Sequence, residues 1–158
     1  MNEQAMQSIV EAVVSKIKPK DITLSMAQRL AQKVRQRAEQ MGVKAVVAIS
    51  DRAAHPVLVE SMDGAYIASY DIAVQKAFTV VSLKMSTSTL KPLASPGGSL
   101  YGIQFTNQGK IVIFGGGEPL KNIEGEIIGG LGVSGGSEEQ DTALAAYGKE
   151  IFEKGKYL

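Results

Sequence analysis

Apolar residues recur at helical spacing from the start of the chain. Met6, Ile9, Val10, Val13, Val14 and Ile17 predict a helix over residues 3–17. Lys18-Pro19 ends it, because the residue before proline avoids helical geometry. A clearer helix follows, with Ala27, Leu30, Ala31, Val34, Ala38 and Met41 on one face and Gln28, Arg29, Lys33, Arg35, Arg37 and Glu39 on the other. Thr23 or Ser25 stands where an N-cap belongs, and Gly42 where a left-handed C-terminal residue belongs. The pattern then turns to that of strands. Residues 43–49 and 56–62 are rich in β-branched residues and predict an antiparallel pair joined through 51–55. Asp63-Gly64 is a turn signal. A third helix is predicted from about Tyr66 to Met85, with Ile72, Ala73, Lys76, Ala77, Val80 and Val81 placed to pack.

Residues 86–100 are rich in Ser, Thr, Pro and Gly and predict a long connection, a feature often functional in compact domains. Short strands are predicted at 101–105, at 110–114 after the Asn107-Gln108-Gly109 turn, and at 126–133. The last helix is predicted over 138–153, where Ser137 and Gln140 form a capping box. The order α-α-β-β-α-β-β-β-α implies an antiparallel sheet with helices packed on its faces, an α+β fold. No internal repeat and no linker divides the chain, so one domain is expected over residues 1–158.

Composition narrows the function classes. Lys and Arg number 17 against 16 Asp and Glu, a net charge of +1. That balance gives no global reason to bind nucleic acid or an acidic membrane surface. There is no cysteine, which removes disulfides, thiolate metal sites and cysteine nucleophiles and fits a reducing compartment. No apolar run approaches a membrane span. The opening MNEQAMQSIVEAVVSK is acidic and interrupted by polar residues, unlike a signal peptide. A cytoplasmic protein is expected.

The 17 glycines are unevenly placed: only Gly42 and Gly64 precede Gly97. The C-terminal part therefore makes tight turns or lets something approach its backbone. Gly132-Val133-Ser134-Gly135-Gly136 fits the G-x-S-x-G pattern of a serine nucleophile elbow. Its base would have to be His55, the one histidine, which precedes the serine instead of following it. The plainer reading is a glycine turn feeding a capped helix, whose free N–H groups make Ser134, Gly135 and Gly136 an anion-binding edge. Asp141 would hold that turn through backbone hydrogen bonds, and Glu138, Glu139 and Asp141 compete for its positive end. Gly115-Gly116-Gly117-Glu118-Pro119 is not a P-loop, since no Gly-Lys-Ser/Thr follows. It admits two readings, a wide turn between strands or a pocket wall where backbone meets ligand.

His55 stands alone beside Pro56, and no second histidine or spaced carboxylate pair supports a metal site. Asp51 and Asp63 flank the same hairpin as turn residues. Tyr66, Tyr70, Phe78, Tyr101, Phe105 and Phe114 lack the basic stripe of a nucleic-acid stacking platform. Most belong in a core, and some suit an apolar pocket for a flat ligand.

Several segments resemble the GlcG/HbpS family, in order along nearly the whole chain. They are Val46-Val47-Ala48-Ile49-Ser50-Asp51 with His55-Pro56-Val57-Leu58, Met62-Asp63-Gly64-Ala65, and Ile72-Ala73-Val74-Gln75-Lys76-Ala77. Gly116-Gly117-Glu118-Pro119-Leu120 and Gly132-Val133-Ser134-Gly135 with Asp141 complete the set. One departure is Ala54, where many members carry glycine before the histidine. The resemblance implies a profilin-like fold in a homo-oligomer. It also implies a setting beside glycolate, propanediol or glycerol utilisation, with haem or another tetrapyrrole as a candidate ligand. If iron is ligated, His55 is the one histidine available, with Met and Tyr as alternatives.

The leading expectation is thus an accessory small-molecule-binding protein. Gly115, Gly116, Gly117 and Glu118 would wall its pocket, and Ser134, Gly135 and Gly136 its anion-binding edge. The competing expectations are an enzyme on a small hydroxy acid or aldehyde, with Asp51, Glu118 or His55 as acid or base, and a structural partner of a cobalamin-dependent dehydratase system.

Overall fold

The computed structural model describes residues 2–16 and 19–158. Five helices and four strands occur among them: α1 (Glu3–Lys16), α2 (Leu24–Gln40), β1 (Val46–Asp51), β2 (Pro56–Ser61), α3 (Ile67–Leu83), α4 (Thr87–Ala94), β3 (Gly117–Lys121), β4 (Ile127–Ser134) and α5 (Glu138–Glu153). The strands form one antiparallel sheet in the order β2-β1-β4-β3. This is the expected α+β arrangement. Among the described residues, no helix is long and apolar enough to cross a membrane.

The two faces of the sheet are covered differently. Val47, Ile49, Leu120, Ile128, Leu131 and Val133 point to one side, where α2 and α5 bury Leu30, Val34, Leu144 and Phe152 against them. On the other side α3 lies on Val46, Ala48 and the backbone of β4 through Ala73 and Ala77. A Cβ on Gly132 would stand 2.0 Å from the Ala73 carbonyl oxygen, and one on Gly130 would stand 2.5 Å from that of Ala77. The β4 glycines thus set how closely α3 approaches the sheet.

Element boundaries follow local chemistry. Thr23 caps α2, its hydroxyl accepting from the Met26 N–H at 3.2 Å, and Ser137 and Gln140 close the capping box of α5. Of the apolar stripe on α1, Met6 and Ile9 are exposed. The side chains of Val10, Val13 and Val14, with Ile17 and Lys18, lie outside the described residues.

Three expectations for the middle of the chain are corrected. The connection at 86–100 contains α4, capped by Ser86 through the Thr89 N–H at 3.1 Å. The strands expected at 101–105 and 110–114 are absent: Ile103–Phe105 is a turn of 3₁₀ helix, and Lys110 to Phe114 joins no sheet ladder. Gly102, Asn107, Gln108 and Gly109 all have positive φ, which interrupts extended backbone. The apolar residues Leu100, Ile103, Ile111 and Ile113 pack instead with Leu90 and Ala94 of α4 in a satellite cluster. The strand that does form, β3, occupies the glycine-proline segment expected to separate strands.

The backbone of 110–114 is tied to α3 by one side chain. The buried Thr79 hydroxyl accepts the Val112 N–H at 3.0 Å and lies 3.3 Å from the Lys110 carbonyl. Thr79→Val keeps the shape and removes the Val112 bond together with the hydroxyl's donation at 2.7 Å to the Gln75 carbonyl. It is expected to cost about 1–3 kcal/mol in urea unfolding and to speed amide exchange at Val112; unchanged exchange would show that this tie does not hold the segment.

Candidate functional site

The end of β4 and the start of α5 meet the N-terminal half of α3. Ser69, Ala73, Lys76, Ala77 and Val80 form the buried stripe of that helix, at the spacing that keeps one face inward. Lys76 is fully buried. Its ammonium donates to the Val133 carbonyl at 2.7 Å and to Asp141 Oδ2 at 3.2 Å, and it lies 5.0 Å from the centre of the Phe114 ring. Burial pushes the Lys76 amine below its ordinary value, and the Asp141 carboxylate opposes that shift. Asp141 Oδ1 accepts the Gly136 N–H at 2.8 Å, so one carboxylate ties the turn after β4 to a cation on α3.

Beside this pair lies a cavity of about 300 Å³. Tyr66, Ile72 and Phe114 give it an apolar wall, and Ser69, Ser134 and Gly135 a polar edge. The Ser134 hydroxyl donates to the Ser69 hydroxyl at 3.1 Å, which joins strand to helix. Glu138 and Asp141 also reach the cavity, but both carboxylates are engaged. Glu138 accepts the Gly115 N–H at 3.0 Å and pairs with Lys91 at 2.5 Å. The Gly115 N–H, followed by Lys91, holds the Glu138 carboxyl below its ordinary value. Its contribution is therefore complete above pH 4.5 and is lost as pH falls through the lowered folded value. Glu138→Gln is expected to flatten that acid limb of the stability curve, measured by thermal unfolding between about pH 3 and 5; an unaltered limb would assign it to other carboxylates.

A larger cleft of about 680 Å³ lies between α2 and β2. Arg35, Glu39, Lys44, Glu60 and Asp63 line it, and Arg35 pairs with Glu60 at 2.5 Å. Such a charged lining disfavours an apolar ligand, so the smaller cavity is the stronger candidate.

The residues singled out from sequence do not gather at one place. Ser134, Gly135, Gly136 and Asp141 meet at the small cavity. The donors of its glycine turn are partly engaged, the Gly136 N–H by Asp141 and the Ser137 N–H by Gln140 at 2.9 Å. Gly115, Gly116 and Gly117 are buried beside it, packed so closely that added Cβ atoms would meet Thr142, Lys76 and Thr87 within 3 Å. Glu118 points to the other face of the sheet and pairs with Lys149 of α5 at 3.2 Å.

His55 lies at the opposite end of the sheet, since β1 pairs Val46 with Ser134 and Asp51 with Gly129. That separation is the length of β1, about 17 Å at ~3.3 Å per residue. The His55 side chain is 79% exposed, with Nδ1 3.4 Å from Asp51. Asp51 Oδ1 accepts the N–H groups of Ala53 and His55, both at 2.9 Å. Asp63 and Gly64 form the turn closed by Ala65 N–H to the Met62 carbonyl at 3.0 Å. Among the described residues, no group of three or more His, Cys, Asp or Glu is placed to hold a metal ion.

Comparison with known proteins adds to this geometry. Residues 22–150 match the family described as "Haem degrading protein HbpS-like". The chain is 42% identical over 131 residues to an uncharacterized 15.0 kDa protein in the dhaT-dhaS intergenic region of Citrobacter freundii, covering 83% of this chain and 92% of that one. It is 43% identical over 110 residues to the corrinoid adenosyltransferase PduO of Salmonella typhimurium strain LT2, covering 70% of this chain but only 32% of that protein. Among solved structures, the PduOC:heme complex superposes with a TM-score of 0.78 at 37% identity, covering 82% of this chain and 94% of that one.

Proposed function

The chain belongs to the HbpS-like family, and on that premise we propose that it is an accessory haem-binding protein. The observation that carries the proposal is the cavity between α3 and the end of β4. A flat macrocycle needs an apolar wall for its ring, polar groups at its edge and an atom that can approach the iron. Tyr66, Ile72 and Phe114 supply the wall, Ser69, Ser134 and Gly135 the edge, and the Tyr66 phenol an oxygen. Glu138 and Asp141 also line the cavity and no cation is among its lining residues, so the propionates of a bound haem would have to stay outside it. The haem complex of PduOC, a relative sharing this fold, supports the same reading. Bound haem would supply iron for binding or sensing, and the chain's own residues would hold and shield it.

The proposal includes a homo-oligomer, because Tyr66 at the cavity and Ile67 and Tyr70 close to it in sequence expose apolar surface that a second copy would cover, and a cytoplasmic location, which the cysteine-free composition suits. It also includes a setting beside glycerol, propanediol or glycolate utilisation, as the sequence resemblance implies. Haemin titration of the purified protein tests the central point. Binding is expected to shift the Soret band and saturate, and Ile72→Asp is expected to weaken it at least tenfold by placing a charge on the apolar wall. Failure of the wild type to bind would overturn the proposal, and equal binding by Ile72→Asp would move the site elsewhere.

A further inference from the structure

We infer that the small cavity takes a short neutral alcohol or aldehyde, held at its oxygen by the buried hydroxyls of Ser69 and Ser134. This inference does not rest on the haem-binding reading. Ser69 is 3% exposed and Ser134 5%, and both line the cavity. One hydrogen bond joins them, at 3.1 Å. Each hydroxyl carries one proton, so a single bond between the two leaves one proton over. Among the described residues, no acceptor takes it. A buried donor without an acceptor is costly and calls for a partner. An oxygen entering the cavity meets that need.

The helix behind the pair adds donors. Ser69 stands in the first turn of α3, where the leading N–H groups have no partner within the helix. Tyr66 at the N-cap makes no side-chain bond to them, and no acidic residue lies in that turn. Ala68, in the same turn, also lines the cavity.

The rest of the lining sets the ligand class. Glu138 and Asp141 reach the cavity and no cation does, so an anion would meet like charge. A neutral oxygen accepts from the serine pair without that repulsion. A ligand hydroxyl also has a proton to give, and an engaged carboxylate oxygen keeps a second lone pair to take it. Ile72 and Phe114 receive a short hydrocarbon chain. A volume of about 300 Å³ lies at the small end of ligand pockets, which keeps that chain short.

The test follows the amide resonances of the full ¹⁵N-labelled chain as 1-propanol, propanal or propionate is added. The alcohol and the aldehyde are expected to shift the Ala68, Ser69, Ser134 and Gly135 amides and to saturate in the millimolar range. Propionate, of the same length but charged, is expected to bind at least tenfold more weakly. Ser69→Ala and Ser134→Ala each leave one hydroxyl with a proton to give, so each is expected to bind within about threefold of the wild type. The double variant removes the donor and binds about tenfold more weakly. Removing both hydroxyls leaves neither one orphaned, so its spectrum away from the cavity is expected to remain that of the folded chain. Propionate binding as tightly as the alcohol, absence of saturable shifts at these amides, or a double variant equal to the wild type would each overturn the inference. Haemin binding is read separately from the Soret band, and its failure would remove the haem reading alone.

Discussion

Gly132→Ala is expected to lose at least ~3 kcal/mol of stability and to accumulate largely as insoluble protein. The new methyl carbon would lie 2.0 Å from the Ala73 carbonyl oxygen and 2.8 Å from the Ala77 nitrogen. Both are helix backbone, so no side-chain rotation relieves the clash, and α3 or β4 must move as a unit. Displacement of α3 would also open its contacts with β1 and β3. Gly125→Ala is the control. It stands at φ +80 with nothing within 4 Å, so only left-handed strain of roughly 1 kcal/mol applies. Equal losses in the two variants, read from urea midpoints, would show that close packing of α3 on β4 is not what holds this face.

Lys76→Met is expected to cost about 3–5 kcal/mol, a fall of roughly 10 °C in Tm for a chain of this size. Removing the ammonium leaves Asp141, which is 4% exposed, as a buried charge with only the Gly136 N–H opposite it. It also deprives the Val133 carbonyl of a donor. Asp141→Asn added to Lys76→Met keeps an acceptor for Gly136 and removes the orphaned charge, so the double variant is expected to recover much of the loss. The pH dependence has a defined sign. Burial lowers the folded-state value of the Lys76 amine below its ordinary 10.5, so between those limits the unfolded chain binds more protons and stability rises with pH. Lys76→Met is expected to lack that rise. A single variant within about 1 kcal/mol of wild type would mean that the pair is solvated, because exposed pairs contribute little.

Sequence pattern located the elements that obey local rules. The capping box at Ser137 and Gln140 and the apolar period after it placed α5 at its observed bounds. The paired runs on either side of Asp51 and His55 placed the first hairpin. The pattern misled where tertiary contacts outweigh propensity. Ile111 and Ile113 have strand-like neighbours but belong to the cluster under α4, and their backbone is claimed by Thr79. Gly117-Glu118-Pro119 resists strand assignment by composition, yet β3 pairs with β4 at the edge of the sheet, where proline is tolerated.

The site was legible in part for the same reason. Ser134, Gly135, Gly136 and Asp141 are close in sequence, so the chain brings them together. Ser69 and Lys76 reach them only through the packing of α3, and Phe114 through the segment that Thr79 ties to that helix. One signal did mark Lys76: it interrupts the stripe of Ala73, Ala77 and Val80 with a cation, and a buried cation requires an anion nearby. Gly129 and Gly130 resist interpretation in one dimension. Their meaning lies in Ser50 and Ile22 on one side and Ala77 on the other.

The close seating of α3 on the β4 glycines bears on the thermodynamics of any ligand event. Ser69 from the helix and Ser134 from the strand are joined by a hydrogen bond, and the bare backbone beneath leaves no layer of side chains to repack. The slot is therefore rigid before anything enters it. A guest would meet walls already in place, with little conformational entropy left to lose. Occupancy is expected to change the shape of this protein very little, so any message it carries would have to travel through the rim and not through the fold.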